Sequence, residues 1–173
     1  MYNFIAIMGE AGSGKDRTMQ AVLKANPNFH EIVSCTSRPP REGEVHGINY
    51  FYYTPEQFTE KILNGEMLEC TVFNNWYYGT SYDSVRSGNV TNIGVFNPTG
   101  VASLLDRPDC KVLVFRVVTD DKERLIRQLT REQNPNVREI IRRFQADLDD
   151  FDNIEFDYVT LYNNVEEDIA RNV

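Results

Sequence analysis

Phe4-Ile5-Ala6-Ile7-Met8-Gly9-Glu10-Ala11-Gly12-Ser13-Gly14-Lys15-Asp16-Arg17-Thr18 decides how this chain folds. The apolar run Phe4 to Met8 has the length of a buried strand, and it delivers the backbone into a glycine-rich turn that ends in a lysine. Glycines at 9, 12 and 14 let successive N–H groups point inward, where side chains would block an anion. Asp16 to Ala25 reads as a helix, so the turn also faces the positive end of a helix dipole. Lys15 adds a mobile charge suited to the β- and γ-phosphates of a nucleotide. The pattern G-x-x-x-x-G-K-[ST] holds from Gly9 to Lys15, but Asp16 stands where a hydroxyl is expected and Thr18 comes two residues too late. A carboxylate also offers Mg²⁺ the oxygen it prefers, which makes Asp16 the candidate metal ligand.

Around this loop, the 173 residues suit one globular domain, and 41% hydrophobic with 25% charged residues is the composition of a soluble protein. No stretch has the apolar length of a membrane span, and the N-terminal run lacks a signal peptide's basic flank, so the expected address is cytoplasmic. Cys35, Cys70 and Cys110 form no C-x-x-C pair and read as buried thiols in a reducing compartment; His30 and His46 are too isolated for zinc. A net charge of −8 argues against nucleic acid as a partner. Thirteen Arg outnumber five Lys, and many of the Arg fall at Arg38/Arg41 and between Arg124 and Arg143. Arginine grips phosphate in bidentate fashion, so this pattern suits a site for small polyanions; Arg107 and Arg171 read as solvated helix positions.

Along the chain, Glu31 to Ser34 reads as a short strand leading into Cys35-Thr36-Ser37-Arg38-Pro39-Pro40-Arg41-Glu42-Gly43-Glu44, which its prolines and glycine bar from helix. Two arginines three apart on a proline-stiffened turn lose little entropy in holding an anion. Thr54-Pro55-Glu56 opens a helix that Gly65 closes. Met67 to Phe73 alternates as a strand, Asn74-Asn75 turns, and Trp76 to Ser81 is a short aromatic strand before a brief helix to Ser87. Thr91 to Phe96 and Lys111 to Val118 are apolar runs typical of buried parallel strands, separated by a helix from Thr99 to Leu105. Helices to Arg131 and from Val137 to Phe151 flank the polar Glu132-Gln133-Asn134-Pro135-Asn136, and a strand from Phe156 to Leu161 precedes a last helix from Val165. The alternation predicts an α/β fold with a right-handed, doubly wound parallel sheet, interrupted from about 35 to 88 by an insertion.

These motifs resemble the guanylate kinases. The family's S-x-T-T-R-x-P-R-x-G-E-x-x-G-x-x-Y-x-F is met by Ser34 to Tyr52, its G-E-[FM]-[LI]-E by Gly65-Glu66-Met67-Leu68-Glu69, and its Y-Y-G-T-S by Tyr77 to Ser81. The resemblance covers nearly all of the chain. It implies a P-loop NTPase-type sheet with an inserted nucleoside-monophosphate-binding region at about 35–88 and a short lid at about 131–142, in a single domain. It further implies ATP as donor with Mg²⁺, bound by Gly9, Glu10, Ala11, Gly12, Ser13, Gly14, Lys15, Asp16 and Arg17. GMP or dGMP would be the acceptor, its phosphate held by Arg38, Arg41, Tyr50 and Tyr78 and its guanine met by Ser34, Glu69 and Thr80. Lys15 would act with Arg131 and Arg143 on the transferring group.

Two positions depart from the family. Arg131-Glu132-Gln133 replaces R-G-T at the lid, and Gly94-Val95-Phe96-Asn97-Pro98-Thr99-Gly100 replaces L-D-x-D-x-x-G, so two acids are missing and Asn97 takes a place beside the acceptor without their charge. Asp16 is the expected compensating carboxylate. Two other readings stay open: a nucleoside monophosphate kinase of altered base choice, and a non-catalytic nucleotide- or peptide-binding module. The intact loop and Arg38/Arg41 favour catalysis, whereas Val95 and Asn97 favour the module. Membranes and nucleic acid are not among the implied partners.

Overall fold

A computed structural model describes residues 1–41, 43–73, 75–131, 133–164 and 166–171. The positions Glu42, Asn74, Glu132 and Val165, which the sequence places in the proline turn, the hairpin turn, the lid and the start of the last helix, lie outside the described residues.

Alternation along the first strand, β1 (Tyr2–Met8), sets the layers. Phe4, Ala6 and Met8 point to one face and join Val101, Leu104, Val114 and Phe151; Ile7 points to the other and joins Met19, Ile93 and Val117. Both faces are therefore apolar, as a parallel sheet covered on each side by helices requires. On the first face lie α3 (Pro98–Leu105) and α5 (Val137–Asp152), and on the second lies α1 (Lys15–Ala25). Each fully buried Ile, Val or Leu here contributes about 1.5–3 kcal/mol through its removal from water.

The sheet contains β2 (His30–Glu31), β7 (Thr91–Val95), β8 (Cys110–Val118) and β9 (Val159–Tyr162) besides β1, in the order β2-β7-β1-β8-β9, with every pairing parallel. A second sheet, in the order β4-β3-β6-β5, is built from β3 (Cys35–Thr36), β4 (Phe51–Tyr52), β5 (Met67–Phe73) and β6 (Trp76–Ser81). Between its strands runs α2 (Pro55–Leu63), whose Thr54 and Gln57 form a reciprocal capping box. The remaining helices are α4 (Asp121–Thr130) and α6 (Glu166–Arg171). Among the described residues no helix is long and apolar enough to cross a membrane.

Three local expectations are corrected. The strand expected over 31–34 is divided, because the chain changes sheets there: Ile32 still donates to the Ile93 carbonyl and enters the core, and pairing resumes at Cys35 in the second sheet. The helix expected to Ser87 is one 3₁₀ turn, Tyr82–Ser84, since the Asn92 side chain takes both the N–H and the carbonyl of Arg86. Of the three thiols only Cys35 is buried; Cys110 is half-buried, and Cys70 is exposed because β5 is an edge strand with one face in solvent.

Candidate functional site: a phosphate loop facing an arginine-lined sheet

The loop between β1 and α1 stands at the carboxyl ends of the central strands. Gly12 and Gly14 have φ of 83° and 87°, the left-handed region where a side chain is strained. Space forbids one as well: a Cβ on Gly12 would lie 2.6 Å from the Arg124 carbonyl oxygen. The loop's carbonyls are held outward. Ala11 O accepts from Arg124 Nε and Gln128 Nε2, each at 3.2 Å, and Gly12 O from Arg127 Nη1 at 3.2 Å. Ser13 O accepts from Asn163 Nδ2 at 2.6 Å and from the Thr119 hydroxyl at 2.9 Å. The Ala11 N–H is taken by Asp147 Oδ2 at 2.6 Å.

Glu10 is buried and one of its carboxylate oxygens pairs with Arg116 on β8 at 2.7 Å, while the other has no hydrogen-bond partner among the described residues. The Ser13 side chain is buried too. Lys15 opens α1, and Asp16 and Arg17 are exposed on its first turn. Thr18 is fully buried, and its hydroxyl has no hydrogen-bond partner among the described residues.

This divides the arginine-rich stretch read from the sequence as one polyanion site. Arg124, 1% exposed, and Arg127 bind backbone and carboxylate groups of the protein itself, because α4 packs directly behind the loop. Arg143 stands 3.5 Å from Glu139 one turn earlier on α5; burial, with the charges of Arg38, Arg143 and Arg131, pushes the Arg41 guanidinium below its ordinary value against the opposing charge of Glu44. Burial is the largest cause, and neighbouring like charge adds to it. Arg38, Arg41, Arg131 and Arg143 are thus within electrostatic reach of one site, with Glu44 and Glu139 among them.

In that sheet Arg38 pairs with Glu44 at 2.9 Å. Glu44 also accepts from the Arg41 N–H at 2.7 Å and the Tyr52 hydroxyl at 2.9 Å, tying the proline turn into one shape. Burial opposes its charge, yet these donors hold its carboxyl below the usual range. Tyr50 lies under Arg38, 5.6 Å from ring centre to guanidinium carbon, and meets Tyr78 edge-on at 6.2 Å. Burial and then the charge of Asp16 push the Tyr50 hydroxyl up, so Asp16 of the loop looks across at the tyrosine of the sheet.

Deeper in the sheet, Glu69 on β5 stands opposite Thr80 on β6. The register slips between Met67 and Glu69, and this bulge turns both Leu68 and Glu69 inward, where strict alternation would send one of them out. Burial raises the Glu69 carboxyl to about 7 against the opposing effect of the Thr80 hydroxyl and amide. Gly100, at the start of α3, leaves room for it: a Cβ there would sit 3.2 Å from Glu69 Oε2. Asn97 caps α3 by accepting the Gly100 N–H at 2.8 Å, and its Nδ2 donates to the Thr71 hydroxyl at 2.9 Å. Ser34 precedes β3, and its carbonyl accepts the Phe51 N–H at 2.8 Å.

A family model for guanylate kinases matches residues 1–172. The chain belongs to the guanylate kinase family. A guanylate kinase of Shouchella clausii (strain KSM-K16) is 35% identical over 128 residues, 66% of this chain and 62% of that protein. Another, of Synechococcus sp. (strain JA-3-3Ab), is 27% identical over 168 residues, 94% of this chain and 76% of its own length. The matched part thus spans under two thirds of the Shouchella relative. The crystal structure of guanylate kinase from Anaplasma phagocytophilum shares the fold, with a TM-score of 0.68 at 22% identity over 98% of this chain and 81% of that one.

Several members of this candidate site were not picked out from sequence. Glu44 carries a local signal, being three residues after Arg41 in a turn. Asp147, Asn163 and Thr119 carry none, because they reach the loop from the far half of the chain. Arg107, read as solvated, instead donates to the Leu68 carbonyl at 3.3 Å, to Tyr82 Oη at 3.0 Å and to Asp109 at 2.9 Å. It serves the strand at the bulge that turns Glu69 inward.

Proposed function

We propose that this chain transfers the γ-phosphoryl group of ATP to the 5′-phosphate of GMP or dGMP, giving GDP or dGDP. The observation that carries the reading is the phosphate loop, with Gly12 and Gly14 in the left-handed region and Lys15 opening α1, in a chain that matches the guanylate kinase family over residues 1–172. Arg38, Arg131 and Arg143 act on Arg41 electrostatically beside Glu44 and Glu139, and these four are cations available to a polyanion held between the two sheets. In this reading Arg38, Arg41, Tyr50 and Tyr78 hold the acceptor phosphate. The loop from Gly9 to Lys15 holds the donor with Asp16 and Arg17 beside it, and Arg131 and Arg143 close over the transferring group.

An acceptor phosphate is already a nucleophile, so the protein's task is alignment and charge neutralisation. Lys15 follows the charge as it moves between phosphates, and the segments 35–88 and 131–142 exclude water as they close. Ser34, Glu69, Thr80 and Asn97 meet the base. Guanine presents N1–H and the 2-amino group side by side, two donors that suit an ionised Glu69, whereas adenine turns an acceptor toward it.

Asp16 fits Mg²⁺ as an exposed carboxylate beside the loop, an oxygen donor of the kind that ion takes while keeping several waters. The ion supplies further neutralisation of phosphate charge when bound. Asp16→Ala should raise the Mg²⁺ concentration needed for half-maximal rate and Asp16→Ser should not; an unchanged Mg²⁺ dependence in Asp16→Ala places the ion elsewhere. The exposed Cys70 thiol suits a reducing compartment, the cytoplasm, and small nucleotides, not nucleic acid, are the partners that this acidic chain fits. A coupled assay of ADP release over a panel of ribo- and deoxyribonucleoside monophosphates tests the reading: GMP or dGMP should exceed AMP in kcat/KM. Equal use of AMP and GMP overturns the base assignment, and ATP binding without turnover on any monophosphate overturns catalysis.

A further inference from the structure

Ala11 has both of its backbone polar groups bound by one buried ion pair. Asp147 Oδ2 accepts its N–H at 2.6 Å, Arg124 Nε donates to its carbonyl at 3.2 Å, and Arg124 Nη2 stands 3.4 Å from Asp147 Oδ2. Both side chains are almost without solvent contact, at 1% for Arg124 and 7% for Asp147. The Arg124 guanidinium also lies 4.5 Å over the Phe144 ring and reaches Asp121 at 2.7 Å.

Burying a charged pair contributes little to stability once desolvation is counted, and apolar side chains of similar size often do as well. The pair's placement gives it another use. Arg124 belongs to α4 and Asp147 to α5, the helices on either side of residues 131–136, and both grip the same peptide of the phosphate loop. Arg143 lies one helical turn before Asp147 on the same face of α5, since residues four apart share a face. It is among the arginines whose charge bears on Arg41 across the cleft. A helix anchored at Asp147 to the loop therefore carries Arg143 at a set distance from whatever phosphate the loop holds.

We propose that Arg124 and Asp147 are positioning residues that lock α5 to the phosphate loop, so that the loop's nucleotide and the arginine acting on it move as one body. The proposal rests on the kinase reading above and adds to it two residues that touch neither substrate.

Five variants of the full chain test it: Asp147→Ala, Asp147→Asn, Arg143→Ala, the pair Arg143→Ala/Asp147→Ala and the apolar replacement Arg124→Met/Asp147→Leu. In steady-state turnover of ATP and GMP, Asp147→Ala should lower kcat about tenfold, the order of one misaligned catalytic contact, and change KM for GMP little. Asp147→Asn keeps an acceptor for the Ala11 N–H and should recover most of that loss. In an Arg143→Ala background the Asp147→Ala loss should largely vanish, because the group it positions is gone. The apolar double variant should melt at or above the parent's Tm and still show the lowered kcat. An apolar Arg124→Met/Asp147→Leu variant that folds and turns over like the parent, or Asp147→Ala and Arg143→Ala losses that multiply, overturns the proposal.

Hydrogen exchange with and without ADP needs no turnover and so separates this idea from the kinase reading. ADP should slow exchange both in the loop and in 137–147 of the parent, and in the loop alone of Asp147→Ala. Protection of 137–147 that survives in Asp147→Ala overturns the coupling whatever the acceptor proves to be.

Discussion

The two sides of the cleft handle charge in opposite ways. Around the loop, Arg124, Arg127, Arg116 and Asp147 are engaged with the loop's own backbone and carboxylate, so that side holds its shape without a ligand. Across from it, Glu44 pairs with Arg38 and also acts on Arg41, which feels the like charge of Arg38, Arg143 and Arg131, while Glu139 stands 3.5 Å from Arg143. The donor side is preorganised by these bonds to its backbone, although Glu10 Oε2, Ser13 Oγ, Thr18 Oγ1 and Arg116 Nε are buried there with no hydrogen-bond partner among the described residues. The acceptor side mixes both signs, with Glu44 and Glu139 among its arginines, and a bound anion adds to the neutralisation those carboxylates give.

The comparison is broken most directly at Lys15, the loop's mobile cation. Lys15→Met should reduce kcat by at least about 100-fold, in the range of other single electrostatic contacts to a developing charge. Near-normal turnover in a folded variant removes Lys15 from the mechanism. On the opposite side, Arg41→Ala should weaken acceptor binding by about 1.5–3 kcal/mol, the worth of a hydrogen bond between charged groups. Its ATP Michaelis constant should change little, and the variant, relieved of like charge, should melt no lower than the parent. Loss of ATP affinity with the monophosphate unaffected reverses the two sides.

Acidity sharpens the contrast at Glu69. Burial raises its carboxyl to about 7, and only the ionised form accepts both guanine donors. As pH rises through 7 the ionised fraction grows, so kcat/KM for GMP should be about tenfold lower at pH 6 than on its plateau above pH 8. Glu69→Gln should flatten this limb, and a profile that falls as pH rises from 6 to 8 contradicts the assignment. The smallest effect is expected at Arg107→Gln, which loses the bond to the Leu68 carbonyl at the bulge. One neutral-acceptor hydrogen bond is worth about 0.5–1.5 kcal/mol net, so KM for GMP should rise about 2- to 10-fold with KM for ATP held. Equal shifts in both constants would place Arg107 in general stability alone.

Strand, glycine turn, lysine and helix from Phe4 to Ala25 were legible in sequence because each depends on neighbours a few residues away, as do the proline-stiffened turn at Arg38–Arg41 and the capped helix at Thr54. The parallel sheet followed from apolar runs separated by helical spacing. Only the tertiary structure decided which arginines face the cleft and which hold the loop, since Arg124 and Arg131 look alike in sequence and differ by where α4 packs. It also decided that Glu69 turns inward, through a one-residue slip of register that alternation does not announce. The clamp on Ala11 joins residues 136 positions apart. Local spacing specifies backbone conformation within a turn or two, whereas contacts across that separation exist only once the sheet and its helices have packed.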